Sequence, residues 1–215
     1  MRYLLYLFVS IWFSLASAGS YDDFFAAVLR DDVAVVRDLL NRGFDPNTPS
    51  PKGETGLLLA VKAPAPKVTE LLLSQVATRV EVRNASDESP LMLAALSGNA
   101  DLCLQLIRRD ADVNKPGWTP LHYAATGGHM EAIRVLLENH AYIDAGSPNG
   151  TTPLMMAAMY GTSGAVKLLL ESGADPTLKN AQGLTAIDFA MRVQKNESID
   201  IISAFVRARN TTNGW

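Results

Sequence analysis

Few side chains in this 215-residue sequence could do acid–base or metal chemistry. The three histidines are His122, His129 and His140, and none has a second histidine at metal-site spacing. Cys103 is the single cysteine, which excludes a cluster of thiolate ligands. We therefore predict that the three histidines have structural roles and that the chain binds no metal.

Cys103 could in principle be a redox group, but its surroundings in the sequence favour another role. The run from Asp101 to Ile107 reads Asp-Leu-Cys-Leu-Gln-Leu-Ile, and the cysteine takes a position that is apolar in sister segments. We interpret it as a small buried core residue. A single thiol also excludes an internal disulfide, so packing must supply the stability of the fold.

The patterns of other catalytic classes are missing from the sequence. No serine stands in a Gly-x-Ser-x-Gly elbow, and no glycine-rich phosphate loop follows a strand. The paired acids Asp22-Asp23 and Asp31-Asp32 fall at predicted helix ends, where we interpret them as solvated caps. A net charge of -3 disfavours nucleic acid as a partner. We predict no catalytic residue and no cofactor.

The N-terminal segment differs from the rest of the chain. Arg2 precedes an apolar run from Leu4 to Leu15, and the small residues Ala-Ser-Ala follow at 16–18. This layout is typical of a secretory signal peptide cleaved after residue 18. The alternative is an uncleaved anchor, although a membrane span needs about 20 residues. We expect an exported monomer, periplasmic in a bacterium and otherwise secreted, with no membrane insertion after cleavage.

An internal repeat determines where all these residues lie. Five similar segments recur at separations of 34, 30, 33 and 33 residues, anchored at Leu57, Leu91, Leu121, Leu154 and Ile187. Each segment starts with Thr or Ser, three continue with Pro, and a second apolar stripe follows. Thr or Ser before Pro predicts a helix start. The period therefore predicts stacked helix-turn-helix units joined by hairpin-like loops.

The segment Thr119-Pro-Leu-His-Tyr-Ala-Ala125 is similar to the signature of the ankyrin repeat, and Gly173-Ala-Asp-Pro-Thr177 is similar to the turn that follows it. The resemblance covers about residues 21–207 and implies an all-α ankyrin-repeat solenoid of about six units. It implies structural roles for Thr119, Pro120, Leu121 and His122, with the His122 ring tying one repeat to its neighbour. Together with the signal peptide, it resembles the exported ankyrin proteins of proteobacteria.

The N-terminal segment and the repeat together predict a division of the chain. We expect a signal peptide at 1–18, an ankyrin-repeat domain at 19–209 and a C-terminal tail at 210–215. The units are expected at about residues 21–53, 54–87, 88–117, 118–150, 151–183 and 184–209. The first and last units are caps, because an end repeat has one neighbour and must expose its outer face to solvent.

Ankyrin stacks bind partners through their loop tips and the exposed face of each first helix. Carried over by position, the candidate binding residues are Trp118, Met159, Tyr160, Arg192, Glu88 and Lys62. Met159 and Tyr160 have an alternative role as a cover over the repeat junction. The predicted partner is another protein. The alternatives are a receptor for a small molecule or envelope polymer in the same groove, and a hydrolase whose site would show a buried carboxylate or His with a strongly perturbed pKa.

One loop departs from the family pattern. Four residues separate Asn114 from Thr119, whereas seven separate Asp144 from Thr152. We expect a notch in the row of loops at this point, with Trp118 beside it as a binding anchor. The alternative is that Trp118 and Pro116 pack locally and plug the shortened turn.

Overall fold

The computed structural model describes residues 19–212, with side chains as far as residue 209. The predicted signal peptide at 1–18 lies outside the described residues, as does the end of the predicted tail. The chain divides into two compact units, Met1–Pro90 and Leu91–Trp215. Within the described residues there are helices, turns and loops but no strands.

The helices follow one another in pairs joined by short turns. Within the described range α1 covers residues 19–29. The others are α2 (Val33–Asn41), α3 (Gly56–Lys62), α4 (Pro66–Ser74), α5 (Pro90–Leu96), α6 (Ala100–Ile107), α7 (Pro120–Gly127), α8 (Met130–Glu138), α9 (Pro153–Met159), α10 (Ser163–Glu171), α11 (Ala186–Arg192) and α12 (Asn196–Thr212). None of the helices in residues 19–212 combines the length and the apolar character that crossing a membrane requires.

The first helices of the repeats begin at the predicted Thr positions. Thr119, Thr152 and Thr185 are the N-caps of α7, α9 and α11. In each case the side chain three residues later accepts a hydrogen bond from the N–H of the capping threonine. At α9 the arrangement is reciprocal, because the Thr152 hydroxyl also accepts from the N–H of Met155 at 3.4 Å, so two backbone donors that the helix itself cannot pair are satisfied.

Four of the second helices, α2, α6, α8 and α10, are followed by a left-handed residue, although glycine is not always used. Gly43 and Gly173 have φ values of 91° and 102°. At the matching positions Asp110 and His140 have φ values of 65° and 66°. A side chain in this region is strained, and Asp and His tolerate it better than most residues. His140 therefore serves as a helix terminator.

The Ala-Ala pairs and the apolar stripes form the core. In the second unit Leu121, Ala124 and Ala125 have no exposed surface, and neither does Cys103 on α6. Burial raises the pKa of the Cys103 thiol to about 12, so the thiolate is not formed at neutral pH. The interpretation of Cys103 as an inert core residue is confirmed.

The interpretation of the acid pairs needs one correction. Asp32 caps α2 by accepting from the N–H groups of Ala34 and Val35, both at 3.2 Å. Asp31 is not simply a solvated cap, because its Oδ1 accepts from the N–H of Val68 at 2.8 Å. It therefore caps α4 from a position 37 residues away. The last helix, α12, continues to Thr212, so it includes the first residues of the predicted C-terminal tail.

Candidate partner-binding surface

Four of the loops between helix pairs close in the same way, and we call them fingers: residues 50–54, 84–88, 147–151 and 180–184. In each finger the N–H of the first residue donates to the carbonyl of the fifth, and the N–H of the fourth donates to the carbonyl of the first, at 2.8–3.1 Å. The first residue is Ser or Asn, and its side chain accepts from the N–H of the fifth. Each finger is therefore stiffened by its own residues.

The shortened loop at residues 114–118 is stabilised by contacts with residues outside the loop. The Asn114 amide donates to the carbonyl of His140 at 2.7 Å and accepts from the N–H of Tyr142 at 2.8 Å. Gly117, with φ at 82°, lies against the Pro148 ring of the next finger, since a Cβ built on it would come 3.6 Å from the ring. The loop depends on its neighbours for its shape.

Trp118 ends this shortened loop and is only partly exposed. Its ring meets the His122 ring edge-on, with centroids 5.2 Å apart and planes at 77°. Its carbonyl accepts from Lys115 Nζ at 3.3 Å. Trp118 thus has a local packing contact and also an exposed edge, so both roles considered for it stay open.

His122 is fully buried beneath Trp118. Its Nδ1 lies 3.2 Å from the N–H of Thr119 and 2.8 Å from the Thr119 hydroxyl, and its Nε2 lies 2.9 Å from the carbonyl of Thr151. Because the Thr119 N–H must donate to Nδ1, the proton of the neutral ring sits on Nε2 and donates to Thr151. The ring ties one repeat to the next.

Burial lowers the pKa of His122 to about 4, although its hydrogen bond to Thr151 works in the opposite direction. A buried histidine with such a pKa was the feature expected of a hydrolase. Here both ring nitrogens are already bonded to protein atoms, so neither is placed to exchange a proton with a substrate. The shift is explained by packing.

His129 also joins neighbouring repeats. Its Nε2 lies 2.9 Å from the carbonyl of Leu96, 33 residues earlier. The ring fits between Gly98 and Gly127, where added Cβ atoms would come 2.5 Å and 2.3 Å from ring atoms. These two positions must therefore be glycine. Among the described residues, no group of three or more His, Cys, Asp or Glu side chains could hold a metal ion.

The first unit contains an open cavity of about 500 Å³ between α1, the finger at 50–54 and α3, which we call the α1–α3 groove. Its floor is apolar, with Phe25 and Leu29 from α1 and Leu59 from α3. Leu29 is 56% exposed. The Tyr21 ring packs edge-on against Phe25 at 4.9 Å and its hydroxyl donates to the carbonyl of Pro49.

An ion pair forms part of the groove wall. Lys62 Nζ lies 2.9 Å from Glu54 Oε1, with the Glu54 side chain 8% exposed and that of Lys62 54% exposed. The hydrogen bond to Glu54 and its charge raise the pKa of Lys62, and the charge of Glu88 adds to the rise. Lys62 and Glu88 are thus close enough to interact. Glu88 also accepts from the Asn84 amide at 2.8 Å.

Only Lys62 of this groove was among the residues singled out from the sequence. The missed signal was the spacing of Tyr21, Phe25 and Leu29, which repeats every four residues and places large apolar side chains on one face of α1. A cap helix has only one neighbouring repeat, so part of this apolar face, at Leu29, remains exposed to solvent.

The second unit holds the other four candidates. Trp118 lies before α7, and Met159 and Tyr160 end α9. Arg192 is exposed in the last turn of α11, which packs directly against α9. Tyr160 is 57% exposed, whereas Met159 is partly buried. Two further exposed apolar residues flank Arg192, Met191 at 52% and Val193 at 39%.

Comparison with known sequences matches this repeated architecture. A family model described as ankyrin repeats (3 copies) matches residues 24–116, 91–180 and 146–213. The Neurogenic locus notch homolog protein 1 of Xenopus tropicalis is 35% identical over 122 residues, which is 55% of this chain and 5% of that protein. The human BCL-6 corepressor-like protein 1 is 32% identical over 150 residues, 68% of this chain and 8% of that protein. The chain thus spans less than a tenth of these relatives.

Two solved structures share the fold. One is the predatory endopeptidase Bd0816 from Bdellovibrio bacteriovorus in complex with immunity protein Bd3460, with a TM-score of 0.74 at 28% identity over 85% of this chain and 97% of the matched one. The other is an ankyrin repeat domain from Acinetobacter baumannii AYE, with a TM-score of 0.73 at 24% identity over 85% and 96%. Together with the family match they confirm the predicted all-α repeat fold. Such repeats are generally non-enzymatic scaffolds for protein–protein interaction, and this chain belongs to the ankyrin-repeat family.

Proposed function

We propose that this protein is a non-enzymatic scaffold that is exported and binds another protein in the periplasm or outside the cell. The α1–α3 groove is the observation that carries the proposal. It is an open, apolar cavity of about 500 Å³ built from a first helix, a finger and the next first helix. Ankyrin repeats generally bind proteins, and an exposed apolar cavity of this kind favours burial of a partner's side chains.

The proposal that the protein is not an enzyme rests on its titratable groups. His122 is buried with both ring nitrogens bonded to Thr119 and Thr151. Cys103 is buried with a raised pKa, which removes it as a nucleophile. Glu54 in the groove wall is already paired with Lys62. These three groups stabilise the fold, and none of them is placed to act on a substrate.

Export is supported by the sequence of residues 1–18, whose charged start, apolar run and small residues are typical of a signal peptide. The test is expression of the full chain in a Gram-negative host, followed by periplasmic extraction and N-terminal sequencing. We expect a mature protein that starts at Gly19. Recovery of the intact chain in the membrane fraction would favour the uncleaved anchor.

The class of partner can be proposed more narrowly. A chain from the complex of an endopeptidase with its immunity protein matches 85% of this chain. Because of this similarity, we propose that the partner is an exported peptidase and that this protein inhibits it. The sequence identity of 28% leaves the binding residues to be found in this chain itself.

The binding test uses residues 19–215 as bait in an envelope extract, with Leu29→Asp as the groove variant. An aspartate on the groove floor would have to be desolvated by the partner, which is costly. Val76→Asp is the matched control, because Val76 is 95% exposed in the same unit and does not line the groove. We expect wild type and Val76→Asp to recover the same protein and Leu29→Asp to lose it. Equal recovery by all three baits would exclude the groove as the binding site.

A receptor for a small molecule or envelope polymer is the second candidate. The groove volume of about 500 Å³ is in the range of small-molecule pockets, about 300–1,000 Å³. Isothermal titration of the wild type with peptidoglycan fragments tests this role. If the wild type shows binding heat and Leu29→Asp does not, the result favours the receptor. If the wild type shows no binding heat, the protein scaffold remains the proposed function.

A further inference from the structure

In the first unit, a side-chain amide joins two consecutive turns. Asn47, in the turn after α2, donates from Nδ2 to the carbonyl of Ala77 at 2.8 Å. Its Oδ1 accepts from the N–H of Arg79, also at 2.8 Å. One amide thus bridges a carbonyl and the N–H two residues beyond it, giving one hydrogen bond and accepting another.

The second unit repeats this bridge after α6. Asn114 donates to the carbonyl of His140 at 2.7 Å and accepts from the N–H of Tyr142 at 2.8 Å. The carbonyl again lies two residues before the N–H. The bridge is therefore a recurrent hydrogen-bonding arrangement, and it needs one donor and one acceptor on the same side chain.

The next copy of the position, after α8, is occupied by Asp144. The N–H of Asp175 donates to both of its carboxylate oxygens, at 3.1 Å and 3.3 Å. By the same spacing the matching carbonyl is that of Gly173. An ionised carboxylate has only acceptors, so it cannot make the second bond of the bridge.

We propose that Asp144 is a proton-dependent tie between the turn after α8 and the turn after α10, complete only when its carboxyl group is protonated. The neutral carboxyl group has one O–H donor and one carbonyl acceptor, as a side-chain amide has a donor and an acceptor. It donates to the carbonyl of Gly173 and accepts from the N–H of Asp175. Losing the proton removes the donor and brings two acceptors together.

The charged groups that face Asp144 are Asp175 in the next turn and Arg209 on α12, which form an ion pair with each other at 3.0 Å. Burial raises the pKa of Asp144, and the negative charge of Asp175 adds to the rise. The N–H of Asp175 and the charge of Arg209 act in the opposite direction. A raised folded-state pKa means that the protonated form is favoured by folding, so this site gains stability as pH falls through that pKa.

The test replaces Asp144 with the residue that the other bridges use. Asp144→Asn supplies the donor at every pH, so we expect its melting temperature to exceed that of wild type by about 2–4 °C at pH 7.5. The difference should shrink as pH falls through the pKa of Asp144 and the wild-type carboxyl group becomes protonated. Asn114→Asp is the matched control and should lose a similar amount at pH 7.5 and recover part of it in acid. An Asp144→Asn variant that is less stable than wild type at pH 7.5, or equally shifted at both pH values, overturns the proposal.

A second measurement does not depend on unfolding. Carboxyl carbon NMR of residues 19–215 gives the titration of Asp144, assigned by the signal that Asp144→Asn loses. We expect a midpoint above the ordinary aspartate value of about 3.9, and amide exchange at Asp175 that slows in the protonated state. A midpoint at or below the ordinary value would also overturn the proposal.

Discussion

Two neighbouring loops of the second unit, the shortened loop at 114–118 and the finger at 147–151, reach similar backbone geometry by different means. Gly117 and Gly150 are both left-handed, with φ values of 82° and 74°. The finger is closed by its own hydrogen bonds, including those of Ser147. The shortened loop is held by contacts to residues further along the chain, such as Tyr142 and Pro148. Internal hydrogen bonds therefore contribute more to the shape of the finger, and contacts with neighbouring residues contribute more to the shape of the shortened loop.

His122 is where the two loops meet, because it bonds Thr119 after the shortened loop and Thr151 at the end of the finger. We expect His122→Ala to cost about 3–5 kcal/mol of unfolding free energy, since it leaves buried polar groups unpaired and opens a cavity. His122→Met is the control, because Met155 caps α9 at the same position. Urea unfolding should give an intermediate loss for His122→Met. A loss under 1 kcal/mol for His122→Ala would mean that the loops are independent.

The pH dependence of stability is a second test of the contribution of His122. The folded pKa of His122 is about 4, below its unfolded value of about 6.5. The unfolded chain therefore binds more protons between these values, so stability falls as pH falls from about 6.5 to 4. We expect wild type to lose about 2 kcal/mol between pH 7 and 5 through this residue. His122→Met should show a smaller loss over that range by urea unfolding. Parallel pH curves for the two proteins would contradict the lowered pKa.

Trp118 tests whether the shortened loop has a binding role in addition to packing. Its edge-on contact with His122 suggests that Trp118→Ala costs about 1.5 kcal/mol. If it is also an anchor, the variant should bind partner poorly at a temperature where it is fully folded. Capture from envelope extract at 10 °C, with circular dichroism of the same sample, separates the two effects. Normal capture with an early melt would assign Trp118 to local packing alone.

The smallest expected effects come from the side chains that close the finger and the shortened loop. Ser147→Ala removes the hydroxyl that accepts from the N–H of Thr151 at 3.1 Å, and we expect a loss of about 1 kcal/mol. Lys115→Ala, in the shortened loop, should cost less than about 0.5 kcal/mol, because its bond to Trp118 is long at 3.3 Å and replaceable by water. Thermal melts of both variants give the comparison. The reverse order would show that the shortened loop depends on its own residues after all.

Much of the fold could be predicted because its signals are local. Thr119 and Pro120 start a helix through bonds within one turn, and the recurrence of such segments identifies the repeat. Cys103 could be assigned to the core from the apolar positions of its sister segments. The surface candidates Tyr160 and Arg192 were indeed exposed, although their role in binding stays a prediction. The α1–α3 groove was missed, because its walls come from segments about 30 residues apart.

The sequence by itself determined the helix starts, because each depends on residues within a few positions of one another, and it determined the repeat period, because similar segments recur along the chain. Only the tertiary structure decided what bridges one repeat to the next. It placed the N–H of Val68 over Asp31, gave His122 a partner in Thr151 and set Asp144 against Asp175. These contacts join residues about 30 positions apart. The burial of these residues and the charges that surround them, which control their pKa and exposure, arise only after the repeats have stacked.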